Sequence, residues 1–183
     1  MARKAKTTPV NVTVADAVST AFCQIEELKD EIQSWYDNLP ENFQNGDKGS
    51  QLQEAIDALE STSEPDVPDS ASDIEVSFSE ATGRLSRARR RDNACAAIEA
   101  AEQAVRDRIQ ELSDLVYNED GKLVIDGRVM ERSDEDAANE EPHDYPYTED
   151  ERDSAITDLE AFADELENAR VEWESVEFPG MYG

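Results

Sequence analysis

His143 is the single histidine of the 183-residue chain, and it lies among carboxylates in a proline-interrupted stretch. With Glu140, Glu141 or Asp144 it could offer one nitrogen and several oxygens to a metal ion. Zinc sites usually combine several His and Cys ligands, and no second His and no Cys lies nearby. We interpret His143 as a loop residue and predict no metal site.

The turn Asn118–Gly121 also invites a metal hypothesis, because EF-hand calcium loops carry a glycine at position six. With Gly121 at that position, Val116 and Gly127 would stand where calcium needs carboxylates. No glycine-rich phosphate loop and no nucleophile motif is present. The 45 Asp and Glu residues form close carboxylate pairs by chance. We expect no catalytic residue, no cofactor and no enzymatic activity.

Five arginines fall within the eight residues 84–91, and three of them would share one helical face. Two interpretations stay open for this cluster. It could contact nucleic acid or an acidic partner, or it could form internal salt bridges that hold acidic segments of the same chain. The acidic surroundings would repel phosphate, which favours the internal role. The five are Arg84, Arg87, Arg89, Arg90 and Arg91.

The formal net charge is −28, from 45 acidic and 17 basic residues. Such an excess destabilises a compact state by self-repulsion, but it keeps a protein soluble and attracts basic partners. No apolar run approaches the roughly 20 residues of a membrane span, and the basic start lacks the apolar segment of a signal peptide. Cys23 and Cys95 fall at apolar helical positions, which predicts two buried thiols and a reducing compartment. We expect a soluble cytoplasmic protein without membrane contact.

Apolar residues recur at three- and four-residue spacing, which predicts helices over 13–39, 50–60, 80–117 and 149–177. Thr13 with Asp16, Ser50 with Gln53, and Thr148 with Glu151 are the expected N-terminal caps. A β-hairpin is predicted over 115–126. The alternation of Ile74, Val76 and Phe78 indicates a short strand or a helix entry, and both stay open.

These elements predict a mainly α protein, an elongated helical bundle or antiparallel coiled-coil-like packing with a minor β-hairpin. We expect residues 13–183 to form a single helical domain. Residues 1–12 would be a basic disordered tail, and residues 131–148 an acidic loop.

The stretch 25–44, with Ile25-Glu-Glu-Leu at its start and a Leu-Pro helix stop, is followed by a second helix at 50–60. Together these residues resemble a helical hairpin of small acidic bacteriophage proteins of unassigned function. The resemblance covers 36 residues, a fifth of the chain. It implies a bacteriophage source, and phages use acidic DNA-mimic proteins against host defences.

Three hypotheses account for the acidity. In the first, the protein is a DNA mimic that occupies the basic groove of a host nucleic-acid-binding protein, as inhibitors of restriction or CRISPR systems do. It would then act in the host cytoplasm and bind no nucleic acid itself. In the second, it is a phage structural, assembly or adaptor protein that acts through helix–helix contacts, and homodimer formation stays open. In the third, the acidity reflects solubility or adaptation to high salt, because five lysines against twelve arginines is the surface composition expected there.

The first hypothesis places the partner contact on the last helix and the loop before it. Residues 149–178 hold twelve acids and two arginines, and aromatic residues beside acids are suited to anchor a contact. The predicted partner-binding residues are Glu140, Glu141, Asp144, Tyr145, Tyr147, Glu149, Asp150, Asp153, Asp158, Glu160, Asp164, Glu165 and Glu167.

Overall fold

The computed structural model describes residues 6–130 and 146–179, which form a mainly helical protein with two small antiparallel sheets. None of the helices in these two ranges combines the length and apolar character needed to cross a membrane. The elements in chain order are β1 (Lys6–Thr13), α1 (Val14–Asp37), α2 (Glu41–Gln44), α3 (Asp47–Glu60), α4 (Asp69–Ser72), β2 (Glu75–Thr82), α5 (Arg87–Ser113), β3 (Val116–Tyr117), β4 (Leu123–Ile125), β5 (Arg128–Val129) and α6 (Glu149–Ser175).

Helix α5 is central, because it packs along both α1 and α6, while α3 packs on α1. The apolar stripes of these helices meet in one core, as their spacing predicts. Each fully buried Leu or Ile contributes about 1.5–3 kcal/mol through the area it removes from water. The largest fully buried side chains are Trp173, Leu28, Ile32, Leu52, Ile98, Leu112, Leu123, Leu159, Leu166, Val14, Val18 and Val105.

The N-terminal residues correct the expectation of a disordered tail over 1–12. Strand β1 pairs antiparallel with β2, from Lys6 opposite Thr82 to Thr13 opposite Glu75. Val12 lies opposite Val76 and packs against the core, which gives the strand an apolar anchor. Most other β1 side chains are exposed and polar, so the segment has little hydrophobic pattern of its own. Residues 1–5 lie outside the described residues.

At Ala81, the outer edge of β2 is hydrogen-bonded to a side chain. The Ala81 N–H donates to Asn93 Oδ1, and Asn93 Nδ2 donates to the Ala81 carbonyl oxygen, both at 2.9 Å. Asn93 is a buried residue near the start of α5. Both peptide groups of Ala81 are thus satisfied, and the β-ribbon is joined to α5.

The helix predicted over 80–117 begins later, at Arg87, because the chain up to Thr82 is strand β2. The alternation at 74–78 therefore marks a strand. Gly83 lies between the strand and the helix and has φ +103°. Residues with a side chain rarely adopt this conformation, and it is not helical. Ser86 caps the new start by accepting the Arg89 N–H at 3.3 Å.

The start of α3 also differs from the prediction. Helix α3 begins at Asp47 with Gly46 as N-cap, so the Ser50–Gln53 cap is wrong. The reason is Gly49, where a Cβ atom would lie only 2.0 Å from the Gln44 carbonyl oxygen. The absent side chain lets α2 and α3 approach closely, and the helix continues through the glycine.

The predicted hairpin over 115–126 forms, and β5 extends it to three strands in the order β3-β4-β5. The Asn118 side-chain oxygen accepts the backbone N–H groups of Asp120 and Lys122 in its first turn.

Of the predicted acidic loop 131–148, residues 131–145 lie outside the described residues. The prediction of two buried thiols holds for Cys95 but is wrong for Cys23, which lies on the exposed side of α1.

Candidate partner-binding face

The start of α6 is fixed by the predicted capping box. Thr148 Oγ1 accepts the Glu151 N–H at 3.2 Å, and Glu151 Oε2 accepts the N–H groups of Thr148 and Tyr147. The preceding backbone is bonded to the small sheet, since the Leu123 N–H donates to the Tyr147 carbonyl oxygen at 3.0 Å. The first helical turn therefore projects from a rigid support, with Glu149 and Asp150 within it.

The buried face of α6 determines which of its residues point to solvent. Leu159, Phe162, Leu166 and Trp173 are at most 2% exposed. The Trp173 ring meets the Phe22 ring edge-on, with centroids 4.8 Å apart, and Trp173 Nε1 donates to Thr62 Oγ1 at 2.9 Å. Because this face is buried, the acidic residues between its members must point to solvent.

All eight predicted contact acids of α6 are exposed on its outer side. Tyr147 is half-buried, and its backbone holds the helix start. Four other predicted residues, Glu140, Glu141, Asp144 and Tyr145, lie outside the described residues. The structure thus brings together on one helix Glu149, Asp150, Asp153, Asp158, Glu160, Asp164, Glu165 and Glu167.

Four of these eight acids are engaged by arginines. Arg152 bonds Glu149 at 3.0 Å and Asp153 at 2.7 Å, and its guanidinium stacks over the Tyr117 ring at 4.8 Å from the centroid. Arg106 of α5 bonds Glu167 at 2.8 Å and lies 3.9 Å from Asp164. These contacts are largely solvent-exposed, so each contributes about 0–1 kcal/mol.

The other four, Asp150, Asp158, Glu160 and Glu165, have no Lys or Arg within ion-pair distance in residues 6–130 and 146–179. No group of three or more His, Cys, Asp or Glu residues in these ranges is arranged to hold a metal ion. The free carboxylates are therefore available to a cationic partner.

The acids form two rows along α6. The α5-side row consists of Asp153, Glu160, Asp164 and Glu167, which share the flank that meets Arg106. The loop-side row consists of Asp158, Glu165 and Glu172 at seven-residue intervals, about 10.5 Å apart along the axis. Asp158 and Glu165 face the loop 61–68. A helix of about 10–12 Å diameter separates the rows.

Three of the five arginines of the cluster make contacts within the molecule. Arg87 and Arg90 both bond Glu31 of α1, at 2.8 and 2.7 Å. Arg91 donates to the Val176 carbonyl oxygen at 2.6 Å, and so fixes the chain after α6. Arg84 and Arg89 are exposed, and no carboxylate in the described part of the chain forms an ion pair with either side chain.

A second ionic link, between α5 and α6, has no signal in the sequence pattern. Glu102 is only 12% exposed and accepts from Arg106 at 3.0 Å and from Arg170 at 3.3 Å. The hydrogen bond to Glu102 raises the pKa of Arg106 above its usual range. Glu102 and Arg106 have the i,i+4 spacing of an ion pair within one helix, but only the packing of α5 on α6 brings Arg170 to Glu102. Spacing along either helix therefore could not predict the contact between the helices.

No protein-family model, curated protein or solved structure matches this chain.

Proposed function

We propose that this protein is a non-enzymatic acidic binding protein that mimics DNA and inhibits a nucleic-acid-binding protein by occupying its basic groove. The observation that carries the proposal is the outer side of α6. It presents four exposed carboxylates without ion-pair partners in the described part of the chain, while most neighbouring arginines are used between helices. Carboxylates on this rigid support would stand in for phosphates.

The charge density of α6 supports this comparison. Its 27 residues span about 40 Å and carry eleven acids and two arginines, a net of nine negative charges or one per about 4.5 Å of axis. One DNA strand carries one phosphate per about 3.4 Å. The helix therefore resembles a single strand in charge density. The −28 net charge of the whole chain equals that of about 14 base pairs.

The proposal extends to source and architecture. The resemblance of residues 25–60 to a bacteriophage hairpin supports a phage-encoded inhibitor of the anti-restriction or anti-CRISPR type, acting in the host cytoplasm. Packing of α5 on both α1 and α6 supports an elongated antiparallel bundle. Such a bundle would present α6 as a stiff rod to a groove.

A pull-down from bacterial lysate, with identification by mass spectrometry, tests the proposal. We expect capture of a basic nucleic-acid-binding protein that duplex DNA competes away. Raising salt from about 50 to 200 mM should release it, because charge-driven contacts of this kind weaken steeply with salt. Tight binding that neither DNA nor salt affects would contradict the mimicry.

Two variants of equal net charge distinguish binding through the α6 carboxylates from attraction by the overall negative charge. The test variant carries Asp150→Asn, Asp158→Asn, Glu160→Gln and Glu165→Gln. The matched control neutralises four exposed acids on other elements, Glu26→Gln, Asp30→Asn, Glu60→Gln and Glu119→Gln. We expect the test variant to lose at least about tenfold more affinity for the captured protein than the control, since only the former removes groups at the contact. Equal losses of affinity in the two variants would show that the contact does not depend on these four carboxylates of α6.

The second candidate, a phage structural, assembly or adaptor protein, is favoured by one apolar surface. The sheet register places Val116, Val124 and Val129 side by side on one face, and Val116 is 63% exposed. A defined homo-oligomer in sedimentation, or the protein in purified phage particles, would support this candidate. Loss of that assembly on Val116→Thr would assign it to the valine face.

A further inference from the structure

A groove of about 670 Å³ runs between the loop 61–68 and the loop-side flank of α6. This volume lies within the range of about 300–1,000 Å³ that is typical of ligand pockets. Its apolar floor includes the buried side chains of Phe162 and Ala169, and Val67 and Pro65 add apolar surface on the loop side.

The loop wall is held in place at both ends. Thr62 accepts the buried Trp173 Nε1–H at 2.9 Å, and Pro68 is the N-cap of α4, with Ala71 beyond it fully buried. Between these points Pro65 fixes one backbone torsion. The groove is thus a feature of the folded molecule with a supported wall on each side.

Carboxylates line both walls. Glu64 and Asp66 project from the loop, Asp158 and Glu165 from α6, and all four are exposed. Within the described ranges, neither a lysine nor an arginine lines the groove, and none of the four carboxylates has an ion-pair partner. Neither Glu64 nor Asp66 is among the partner-binding residues predicted from the sequence.

We infer that this groove is the docking site for an extended, arginine-bearing segment of the basic partner protein. The inference rests on the proposed function for the charge of the partner, and it adds the place and the chemistry of the contact. A guanidinium is planar, weakly hydrated and bonds carboxylates with two parallel N–H groups, while its aliphatic stem packs on apolar surface. A groove with an apolar floor and acidic walls matches both parts. A second copy of this chain fits poorly, because two molecules of net charge −28 repel each other.

An extended segment can reach both α6 carboxylates of the groove. Asp158 and Glu165 are seven residues apart on α6, or about 10.5 Å along the helix. Alternate residues of an extended strand are about 6.8 Å apart on one side. Two arginines at that spacing reach both carboxylates with their flexible stems, whereas a single arginine reaches only one.

The test uses the full-length ¹⁵N-labelled protein and a capped six-residue peptide that alternates alanine and arginine. We expect chemical-shift changes concentrated in residues 61–68 and 158–169. A peptide with glutamine in place of arginine should leave the spectrum unchanged, and a lysine version should bind more weakly. Shifts spread over all acidic surfaces would overturn the inference, because they would indicate non-specific charge attraction.

Two substitutions that leave the charge unchanged make the test specific to the groove. Ala161→Trp places a large ring at an exposed α6 position that lines the groove. Val171→Trp places the same ring at an exposed position of α6 outside it. We expect Ala161→Trp to weaken peptide binding about tenfold and Val171→Trp to leave it within about twofold. Equal affinities would overturn the inference.

A third variant, Glu64→Gln with Asp66→Asn, distinguishes the groove inference from the proposed function, because it changes the groove but leaves the carboxylates of α6 unchanged. If a DNA-competed partner binds this variant and Ala161→Trp as tightly as the unchanged protein, the groove inference fails and the proposed function stands. If the arginine peptide binds in the groove but no DNA-competed partner is captured, the proposed function fails and the groove site remains.

Discussion

Trp173 shows at the residue scale how one side chain joins two parts of the molecule. Its ring is fully buried against Phe22 of α1, and its single polar atom donates to Thr62 on the loop 61–68. A buried indole N–H without an acceptor loses its hydrogen bond to water and gains nothing in return. Thr62 therefore stabilises the position of the loop and of the groove beside it.

The first prediction removes that acceptor. Thr62→Val should lower the free energy of unfolding by about 1–3 kcal/mol, because it leaves the Trp173 N–H unsatisfied. Thr62→Ser keeps a hydroxyl oxygen and should cost less than about 1 kcal/mol. Urea unfolding monitored by tryptophan fluorescence measures both values. A loss for Thr62→Val no larger than that for Thr62→Ser would contradict the role of the hydrogen bond, since the serine keeps the acceptor oxygen.

The second prediction concerns Cys95, whose thiol is buried at the α5–α6 contact. Burial raises its pKa from 9.0 to about 11. The unfolded chain therefore releases this proton at lower pH than the folded protein does. The stability contributed by the neutral thiol is complete below about pH 9 and falls as the pH rises from 9 to 11, by about 2–3 kcal/mol in total.

Urea unfolding at several pH values between 8 and 11 measures this change, and Cys95→Ala is the matched control. Other groups titrate in both proteins, so the difference between the two curves isolates the thiol. We expect the unchanged protein to lose its stability advantage over Cys95→Ala across that interval. Parallel curves would show that Cys95 ionises alike in the folded and unfolded states.

At the scale of elements, the N-terminal strand provides the third prediction. Deletion of residues 1–12 removes nearly all of β1, exposes Val76 and removes Val12 from the core. We expect a loss of roughly 2–4 kcal/mol in the free energy of unfolding, from the lost apolar burial. Deletion of residues 1–5 leaves the strand intact and is the control. Thermal unfolding followed by circular dichroism compares the two, and equal stability would support a disordered tail.

The limits of sequence analysis are visible in the same elements. The helices α1, α5 and α6 could be predicted because each repeats its apolar residues with the helical period, and the Thr148–Glu151 cap is a local signal. Strand β1 could not be predicted, because its structure depends on pairing with β2, some 70 residues away in the chain. The groove has the same origin, since the loop 61–68 and α6 meet only in the folded molecule.

The candidate site was predictable to a similar extent. The acids of α6 could be assigned to an exposed face because the buried stripe between them fixes the helix rotation. Arg152 lies within one helical turn of Glu149 and Asp153, but which of the other acids remain free could not be predicted. Arg106 neutralises Glu167 from another helix, whereas Glu165, two residues earlier, faces the groove. The difference between the two carboxylates depends on helix packing.

At the scale of the whole molecule, the net charge of −28 has to be reconciled with folding. Three arginines of α5 reduce repulsion between helices: Arg87 and Arg90 pair with Glu31 of α1, and Arg106 pairs with Glu167 of α6. On the outer side of α6, Asp150, Asp158, Glu160 and Glu165 have no such compensation from the described residues. This arrangement concentrates repulsion on surfaces that face solvent, where water and counterions screen it. The fold should therefore tolerate low salt.

The final prediction separates a partner-binding surface from adaptation to high salt. We expect the helical circular-dichroism signal to persist at about 10 mM NaCl, where the Debye length is about 30 Å. The free energy of unfolding should rise modestly towards about 1 M NaCl, because screening weakens the net repulsion more than it weakens the few exposed ion pairs.

The fourfold variant Glu26→Gln, Asp30→Asn, Glu60→Gln and Glu119→Gln should show a smaller rise, since it carries less excess charge. Loss of helix at low salt, restored by NaCl, would favour high-salt adaptation instead. In that case the carboxylates of α6 would serve folding at high salt concentration. The lack of ion pairs at four of them would then be no evidence for a binding partner. A fold stable at low salt leaves those carboxylates available for binding where charge attraction is strongest.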